Sequence, residues 1–347
     1  MPSARLDAAE SITRALAVGG RPMVLVRTVT GLERLAAAEL GAARHRVIDV
    51  SQRQLVVEPT SATIVTDPPR LADDLFVLQA VVPDPGRTRS ALVDAVAVVR
   101  GELRPVVGDF AVSASFRGRR NYNRFDIEDL VGDVLAGLTG CAYHSRRDGS
   151  RPPEHRVDWR VVLDGTTMWV GMRPYDVPLH RREWRRRTVV GSLHPPVAAA
   201  MARLAEIEPG HRVLDPFCGA GTLVLEAEAI APAARYLGVD RSPAAIGAAR
   251  ANTRSEGRIR WRIDNARHLM ARADRILTNP PWDVRVAIGE LTPYVDQWRR
   301  SEPDRVVALL NQHQTETLRN DPTWQIHHIH PIALAGQHPH ITVATPR

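Results

Sequence analysis

Apolar and polar positions along this 347-residue chain follow two rhythms, one for each half. Met1 to Gly20 is polar and carries no sustained apolar period, so it reads as a tail, and the fold is expected to begin with a strand at Met23–Arg27. Thr30-Gly31-Leu32-Glu33 has capping-box spacing ahead of a helix running to Leu40. Arg46–Val50 and Gln54–Glu58, separated by three polar residues, have the pattern of a hairpin. Leu71–Val82 and Ala91–Leu103 are expected as helices divided by the breaker Pro83-Asp84-Pro85-Gly86. Phe110, Val112, Ala114 and Phe116 alternate with smaller or polar residues, which predicts a half-buried strand. Asp126 is the expected cap of a helix with Leu130, Val131, Val134, Leu135 and Leu138 on one face and Gly140 at its stop. Strands at Asp158–Leu163 and Met168–Met172, turning at Gly165, complete an α+β region.

The rhythm changes after Pro195 and Pro196, which open a helix to Leu204. From there short apolar runs alternate with helical segments: Arg212–Phe217, Tyr236–Asp240, Ile259–Ile263, Arg275–Asn279, Val306–Asn311, Ile326–Ile332 and Ile341–Thr345. Seven strands interleaved with helices predict a mostly parallel, doubly wound α/β sheet. Such sheets bind ligands beyond the carboxyl ends of their strands, where Asp215, Gly219, Asp240 and Asn279 all fall.

The first of these strand tips carries Asp215-Pro216-Phe217-Cys218-Gly219-Ala220-Gly221-Thr222, and a helix follows at Leu223–Ile230. Glycines in such a turn let a ligand approach the backbone, and the helix start offers unpaired N–H groups. A dinucleotide fingerprint would place a third glycine where this chain has Val224, and no Gly-Lys-Ser/Thr run of a P-loop is present. Asp240 ends the second strand, where an acidic residue meets the hydroxyl pair of a ribose in nucleotide folds.

The Asp215–Thr222 motif, taken with Asn279-Pro280-Pro281-Trp282, resembles the S-adenosylmethionine-dependent RNA methyltransferases that carry a THUMP domain, among them the tRNA guanine-N2 methyltransferases. The resemblance implies a seven-stranded Rossmann-like methyltransferase domain at 196–347. Ahead of it would stand a ferredoxin-like part at 21–65, a THUMP domain at 66–177 and a basic linker at 178–195. It implies S-adenosylmethionine as cofactor, held by Asp215, Pro216, Gly219, Gly221, Thr222, Asp240 and Arg241. Either Asp264 or Asn265 would take the adenine amino group. It also implies that the THUMP domain holds the single-stranded 3′ end of a tRNA acceptor stem, so that one nucleotide is presented to the active site.

The Asn-Pro-Pro-Trp letters fit a reaction at an exocyclic amine. Such a nitrogen has its lone pair delocalised into the ring, so two acceptors, the Asn279 side-chain oxygen and the Pro280 carbonyl, can hold its protons and turn the lone pair toward a methyl donor. Trp282 would stack on the extruded base. Positioning and electrostatics then carry the step. Attack at carbon 5 of a pyrimidine would need a cysteine near this strand, and none is there. Asp283 stands where the family commonly has glycine, and amines of rRNA or DNA bases would be served by the same letters.

Net charge is +7, with a pI near 10.3, and every basic residue apart from histidine is arginine. A polyanion is the natural partner, because neutralising phosphates releases counterions. Two segments concentrate the charge. Arg117, Arg119, Arg120 and Arg124 surround Tyr122, where arginines could grip phosphates while an aromatic ring stacks on a base; the alternative is an ordinary solvated loop. Arg181, Arg182, Arg185, Arg186 and Arg187 surround Trp184, with the same two readings. Cys141 and Cys218 cannot build a disulfide framework or a four-cysteine zinc site, and no leader or membrane-length apolar run appears, so a cytoplasmic protein is expected. His327, His328, His330, His338 and His340 have no acidic or cysteine partner at ligand spacing, so no metal is expected.

Overall fold

The computed structural model describes residues 2–104, 108–254, 257–282 and 289–347, with side chains from 7 onward. The chain divides into two compact units: Met1–Arg27 with Ala37–Leu179, and Thr28–Ala36 with His180–Arg347.

The first unit opens with helix α1 (Pro2–Ala17), not a tail. Ala8, Ala9 and Ile12 are buried, and α1 packs on the short helix α3. Its apolar stripe is narrow and built of alanine, which is why the pattern reads as polar. Strand β1 (Val24–Arg27) is followed by α2 (Glu33–Ala42), the hairpin β2 (Arg46–Ser51) and β3 (Gln54–Glu58), and α3 (Thr63–Thr66). At the start of α2 the Glu33 carboxylate accepts the Gly31 N–H. Next come β4 (Asp74–Pro83), α4 (Arg89–Glu102), β5 (Phe110–Phe116), α5 (Arg124–Thr139), β6 (Val157–Leu163) and β7 (Thr167–Met172). They form one sheet in the order β2-β3-β1-β4-β7-β6-β5, which runs across the expected boundary at residue 65.

β4 corrects the helix expected at Leu71–Val82. It pairs with β1 on one side and β7 on the other, and the register slips between Leu78 and Ala80. A bulge of this kind inverts side-chain parity. Phe76 and Leu78 accordingly face one apolar cluster with Leu25, Val56 and Val162, while Ala80 and Val82 face the larger core under α4 and α5. A strand buried first on one face and then on the other shows no alternation to read.

Helix α5 starts one turn earlier than expected. Asn123 is its cap, accepting the N–H groups of Phe125 and Asp126, and Asp126 returns the bond to the Asn123 N–H. Gly140 closes the helix with φ 68°, as its position in the sequence implies.

The second unit contains α6 (Pro195–Leu204), β8 (Arg212–Asp215), α7 (Thr222–Ile230), β9 (Arg235–Asp240), α8 (Pro243–Asn252), β10 (Ile259–Ile263), β11 (Arg275–Thr278), α9 (Thr292–Arg300), β12 (Arg305–Leu310), α10 (Gln312–Asn320), β13 (Trp324–Pro331) and β14 (His340–Pro346). All seven expected strands are present, in the order β10-β9-β8-β11-β12-β14-β13. The first five are parallel, and β14 joins antiparallel to β12 and β13. From β8 the chain winds outward through β9 to β10, then crosses to β11 and winds the other way. β8 and β11 therefore flank the switch point, the place where such sheets open a crevice. Among the described residues no helix is long and apolar enough to cross a membrane.

Candidate functional site

Two neighbouring strand tips build the site. β8 and β11 run parallel with Leu214 opposite Ile276, so Asp215 and the Thr278–Asn279 step leave the sheet side by side. The turn after β8 is held by its own backbone and by β9. The Asp215 carboxylate accepts the Phe217 N–H at 3.0 Å, Cys218 N–H donates to the Val239 carbonyl at 2.9 Å, and Gly221 N–H returns to the Cys218 carbonyl at 2.8 Å. Gly219 and Gly221 both take positive φ, 51° and 84°, which L side chains adopt only with strain. Gly221 is small for a second reason: a Cβ there would lie 2.6 Å from the Trp261 ring, and one on Gly238 would lie 2.2 Å from it. The Trp261 indole, fixed by its N–H to Thr253 Oγ1 at 2.9 Å, thus forms the floor under the turn. Pro216 and Thr222 are buried in the turn and the first position of α7, whereas Arg241 is exposed.

The electrostatics of the turn are anionic. Asp240 accepts the Gly219 N–H at 3.0 Å on one oxygen and the Ser242 N–H at 2.9 Å on the other, which leaves each oxygen a further lone pair. Asp215 is 2% exposed, and burial, then the charge of Asp240, push its carboxyl well above the usual carboxylate range. Burial, together with the same two carboxylates, pushes the Cys218 thiol up, so it stays protonated and is no nucleophile. The Asp240 carboxylate at the glycine turn repels a phosphate, and a ligand that brings positive charge would also draw the neighbouring Asp215 toward its ionised form. At the third tip, Asp264 N–H donates to the Asp240 carbonyl, the Asp264 carboxylate meets Arg262 at 3.1 Å, and Asn265 Oδ1 accepts the Arg267 N–H at 3.0 Å.

The second tip carries an unspent acceptor. Asn279 Oδ1 is buried and has no hydrogen-bond partner among the described residues. Its surroundings are rigid: Gln314 Nε2 donates to the Pro281 carbonyl at 2.8 Å, Asn311 Nδ2 to the Trp282 carbonyl at 3.4 Å, and Trp282 Nε1 to the Leu309 carbonyl at 3.1 Å. Asn311 and Gln314 also form the capping box of α10, so the helix start and the Asn-Pro-Pro-Trp turn are one rigid piece. Pro280 is buried and Trp282 half-buried. Asp283 lies outside the described residues.

The basic segments divide into inward and outward arginines. Arg120 does not face solvent, as expected of a phosphate contact: its guanidinium is 4% exposed and forks onto Asp84, the Gly86 carbonyl and Tyr122 Oη. Tyr122 is 6% exposed and donates to the Gly86 carbonyl, so its ring is not available for base stacking. Burial opposes ionisation of Asp84, but the Arg120 bonds and the N–H groups of Gly86 and Gly165 hold its carboxyl below the usual range. Arg117, Arg119 and Arg124 remain exposed.

Residues 178–195 are not a free linker either, for from His180 onward they pack within the second unit. Arg182 is turned in against Glu226 of α7 at 2.8 Å, with the two side chains 11% and 0% exposed. Arg185 is half-buried, and burial pulls its guanidinium below its ordinary value. Arg181, Arg186 and Arg187 point outward, while the backbone N–H groups of Arg186 and Arg187 both donate to Asn252 Oδ1 at 2.9 Å. Asn252, Trp261, Glu226 and Gln314 were not among the expected site residues. Asn252 had a signal: with Ala245, Ala248 and Ala249 it occupies the buried face of α8, the one polar side chain there.

With this geometry in place, comparison with known proteins is informative. Residues 182–292 match the UPF0020 family model, described as RMKL-like, methyltransferase domain. The match begins inside the basic segment, in accord with its packing on the second unit. A tRNA (guanine(6)-N2)-methyltransferase of Thermus thermophilus is 35% identical over 189 residues, 53% of this chain and 54% of that protein. A protein of the same name from Archaeoglobus fulgidus is 27% identical over 60% of this chain and 54% of its own length. The chain thus spans about half the length of these curated relatives. Among solved structures, TrmN from Thermus thermophilus superposes with a TM-score of 0.80 at 27% identity, over 94% of this chain and all of that one. The second unit is a Rossmann-like methyltransferase domain.

Proposed function

We propose that the protein transfers a methyl group from S-adenosylmethionine to the exocyclic N2 amine of a guanosine in tRNA. The observation that carries this reading is the buried, unspent Asn279 Oδ1 on the strand tip beside a glycine turn that holds two carboxylates. The turn fits the cofactor: Asp240 would take the ribose hydroxyls, the Gly219–Gly221 backbone the methionine part, and the Asp240 carboxylate favours a ligand with a sulfonium and an ammonium over a phosphate. Bound there, the cofactor supplies an electrophilic methyl group. Asn279 Oδ1 and the Pro280 carbonyl hold the two amino protons and aim the nitrogen lone pair at that carbon. As the N–C bond forms, the C–S pair returns to sulfur and the surplus proton leaves to solvent. No side chain acts as a strong base before transfer.

The names of the relatives support guanine N2 as the target and tRNA as the carrier. The outward arginines, Arg117, Arg119 and Arg124 in the first unit and Arg181, Arg186 and Arg187 in the second, supply the phosphate contacts. The first unit acts as a THUMP-type RNA-binding domain. Incubating purified protein with labelled S-adenosylmethionine and bulk tRNA, followed by digestion to nucleosides, should place the label in N2-methylguanosine. Label in N6-methyladenosine or N4-methylcytidine, or none, overturns the assignment.

A further inference from the structure

A cavity of about 130 Å³ lies in the first unit, between the β2–β3 turn and the ends of β5 and β6. Its polar lining includes Arg27, Arg53, Gln54, Ser115, Arg117 and Asp164. Arg27 Nη1 donates to Gln54 Oε1 at 3.0 Å. A guanidinium has no lone pair to give, so this bond fixes which end of the amide is which and leaves Gln54 Nε2 as a donor. Gln54 is 2% exposed, and Nε2 has no acceptor among the described residues. Behind Ser115, whose Oγ accepts from Arg160 Nη2 at 2.6 Å, the Arg160 Nε is likewise buried without an acceptor. Arg117 Nη2 reaches the Gln52 carbonyl at 3.3 Å.

Asp164 brings a carboxylate to the lining: Oδ1 accepts the N–H groups of Thr166 and Thr167 and the Thr166 hydroxyl, and Oδ2 accepts the Trp169 indole N–H. Against the opposing effect of burial these bonds hold the carboxyl below the usual range, so its charge offsets one of the arginines. Asp74, which also acts on Arg27, is committed to Arg173 at 2.6 Å. Three arginines, Arg27, Arg53 and Arg117, outnumber the one carboxylate in the lining. Burial first, and then Arg53, draws Arg27 below its ordinary value against the pull of Asp73 and Asp74; burial, and then Arg27, draws Arg160 down to about 9. A small pocket with more arginines than carboxylates in its lining and a buried Gln54 donor without an acceptor among the described residues lowers its free energy by taking an anion.

We propose that this cavity binds a phosphate group. Its volume is well below the roughly 300–1,000 Å³ of pockets that enclose a drug-sized ligand, so a nucleoside is too large. The arginine forks and the Gln54 amide match the oxygens of a phosphate. The group comes either from the RNA chain or from free inorganic phosphate. This goes beyond the methyl-transfer reading and does not depend on it, because it is read by binding alone.

Calorimetric titration of the full chain with inorganic phosphate, at constant ionic strength, tests the site. The parent should bind saturably; Arg117→Ala, an exposed position, and Gln54→Glu, which puts a negative charge in the cavity, should each weaken binding at least tenfold. Should Gln54→Glu fail to fold, Arg117→Ala decides alone. A parent that does not bind phosphate, or an Arg117→Ala protein that binds it as the parent does, overturns the proposal. Competition between inorganic phosphate and tRNA then separates the sources. If an RNA phosphate fills the cavity, saturating inorganic phosphate at constant ionic strength should weaken tRNA binding by the parent and not by Arg117→Ala, while a parent tRNA affinity that ignores inorganic phosphate assigns the site to the free ion.

Discussion

Asn252 Nδ2 lies 3.0 Å from the carbonyl oxygen of Ala220, in the middle of the glycine turn, and 2.8 Å from the carbonyl of Arg187. With Oδ1 accepting from Arg186 and Arg187, one buried amide spends its donors and acceptor in tying the basic segment to the cofactor turn. Asn252→Ala leaves those backbone groups unpaired, at about 1–3 kcal/mol for each buried one. S-adenosylmethionine affinity, measured by calorimetry, should fall about tenfold or more, with a lower melting temperature. Asn252→Asp, which keeps the acceptor but sets a buried carboxylate oxygen against the carbonyls of Ala220 and Arg187, should be at least as damaging as Asn252→Ala.

Asn279→Ala should remove methyl transfer by roughly two to three orders of magnitude, the usual loss when one positioned polar group at a reacting centre is deleted. Cofactor binding should be unchanged, since the glycine turn does not use Asn279, and tRNA binding should survive. Single-turnover transfer measured beside cofactor titration separates a lost chemical step from a lost site.

The arginines should sort by direction. Arg182→Ala takes a guanidinium from Glu226, which is 0% exposed, and removing one partner of a buried pair costs about 3–5 kcal/mol. Arg120→Ala removes the cation from Asp84, which is 3% exposed and keeps the N–H groups of Gly86 and Gly165. Both should lower the melting temperature markedly. Arg119→Ala and Arg187→Ala, from exposed positions, should leave it within a degree or two and weaken tRNA binding, with a shallower salt dependence.

Asp215 should destabilise the cofactor-free protein at neutral pH. Its folded-state carboxyl is raised, through burial and then Asp240, so the unfolded chain ionises more readily. For a raised acid, stability falls as pH climbs from the unfolded value near 3.9 toward the folded one. Asp215→Asn should therefore raise the melting temperature at pH 7, with the gain vanishing near pH 4, and should weaken S-adenosylmethionine binding by removing the carboxyl that a bound cation would draw into its ionised form. Melting curves across that range, beside cofactor titration, check both signs.

What the sequence by itself determined lies mainly in the second half. Parallel strands buried on both faces are short, continuous apolar runs, and the glycines, Asp240 and Asn279 sit at their carboxyl ends, where the topology of such a sheet gathers them. These are local signals, carried by residues adjacent in the chain. Only the tertiary structure decided the rest. β4 became a strand because two half-sheets share it, and its bulge erased the period that would have declared it. Arg120 and Arg182 turned inward because Asp84 and Glu226, 36 and 44 residues away, needed buried partners. An arginine looks the same in sequence whether it faces solvent or a carboxylate, and only the folded chain supplies the long-range contact that distinguishes them.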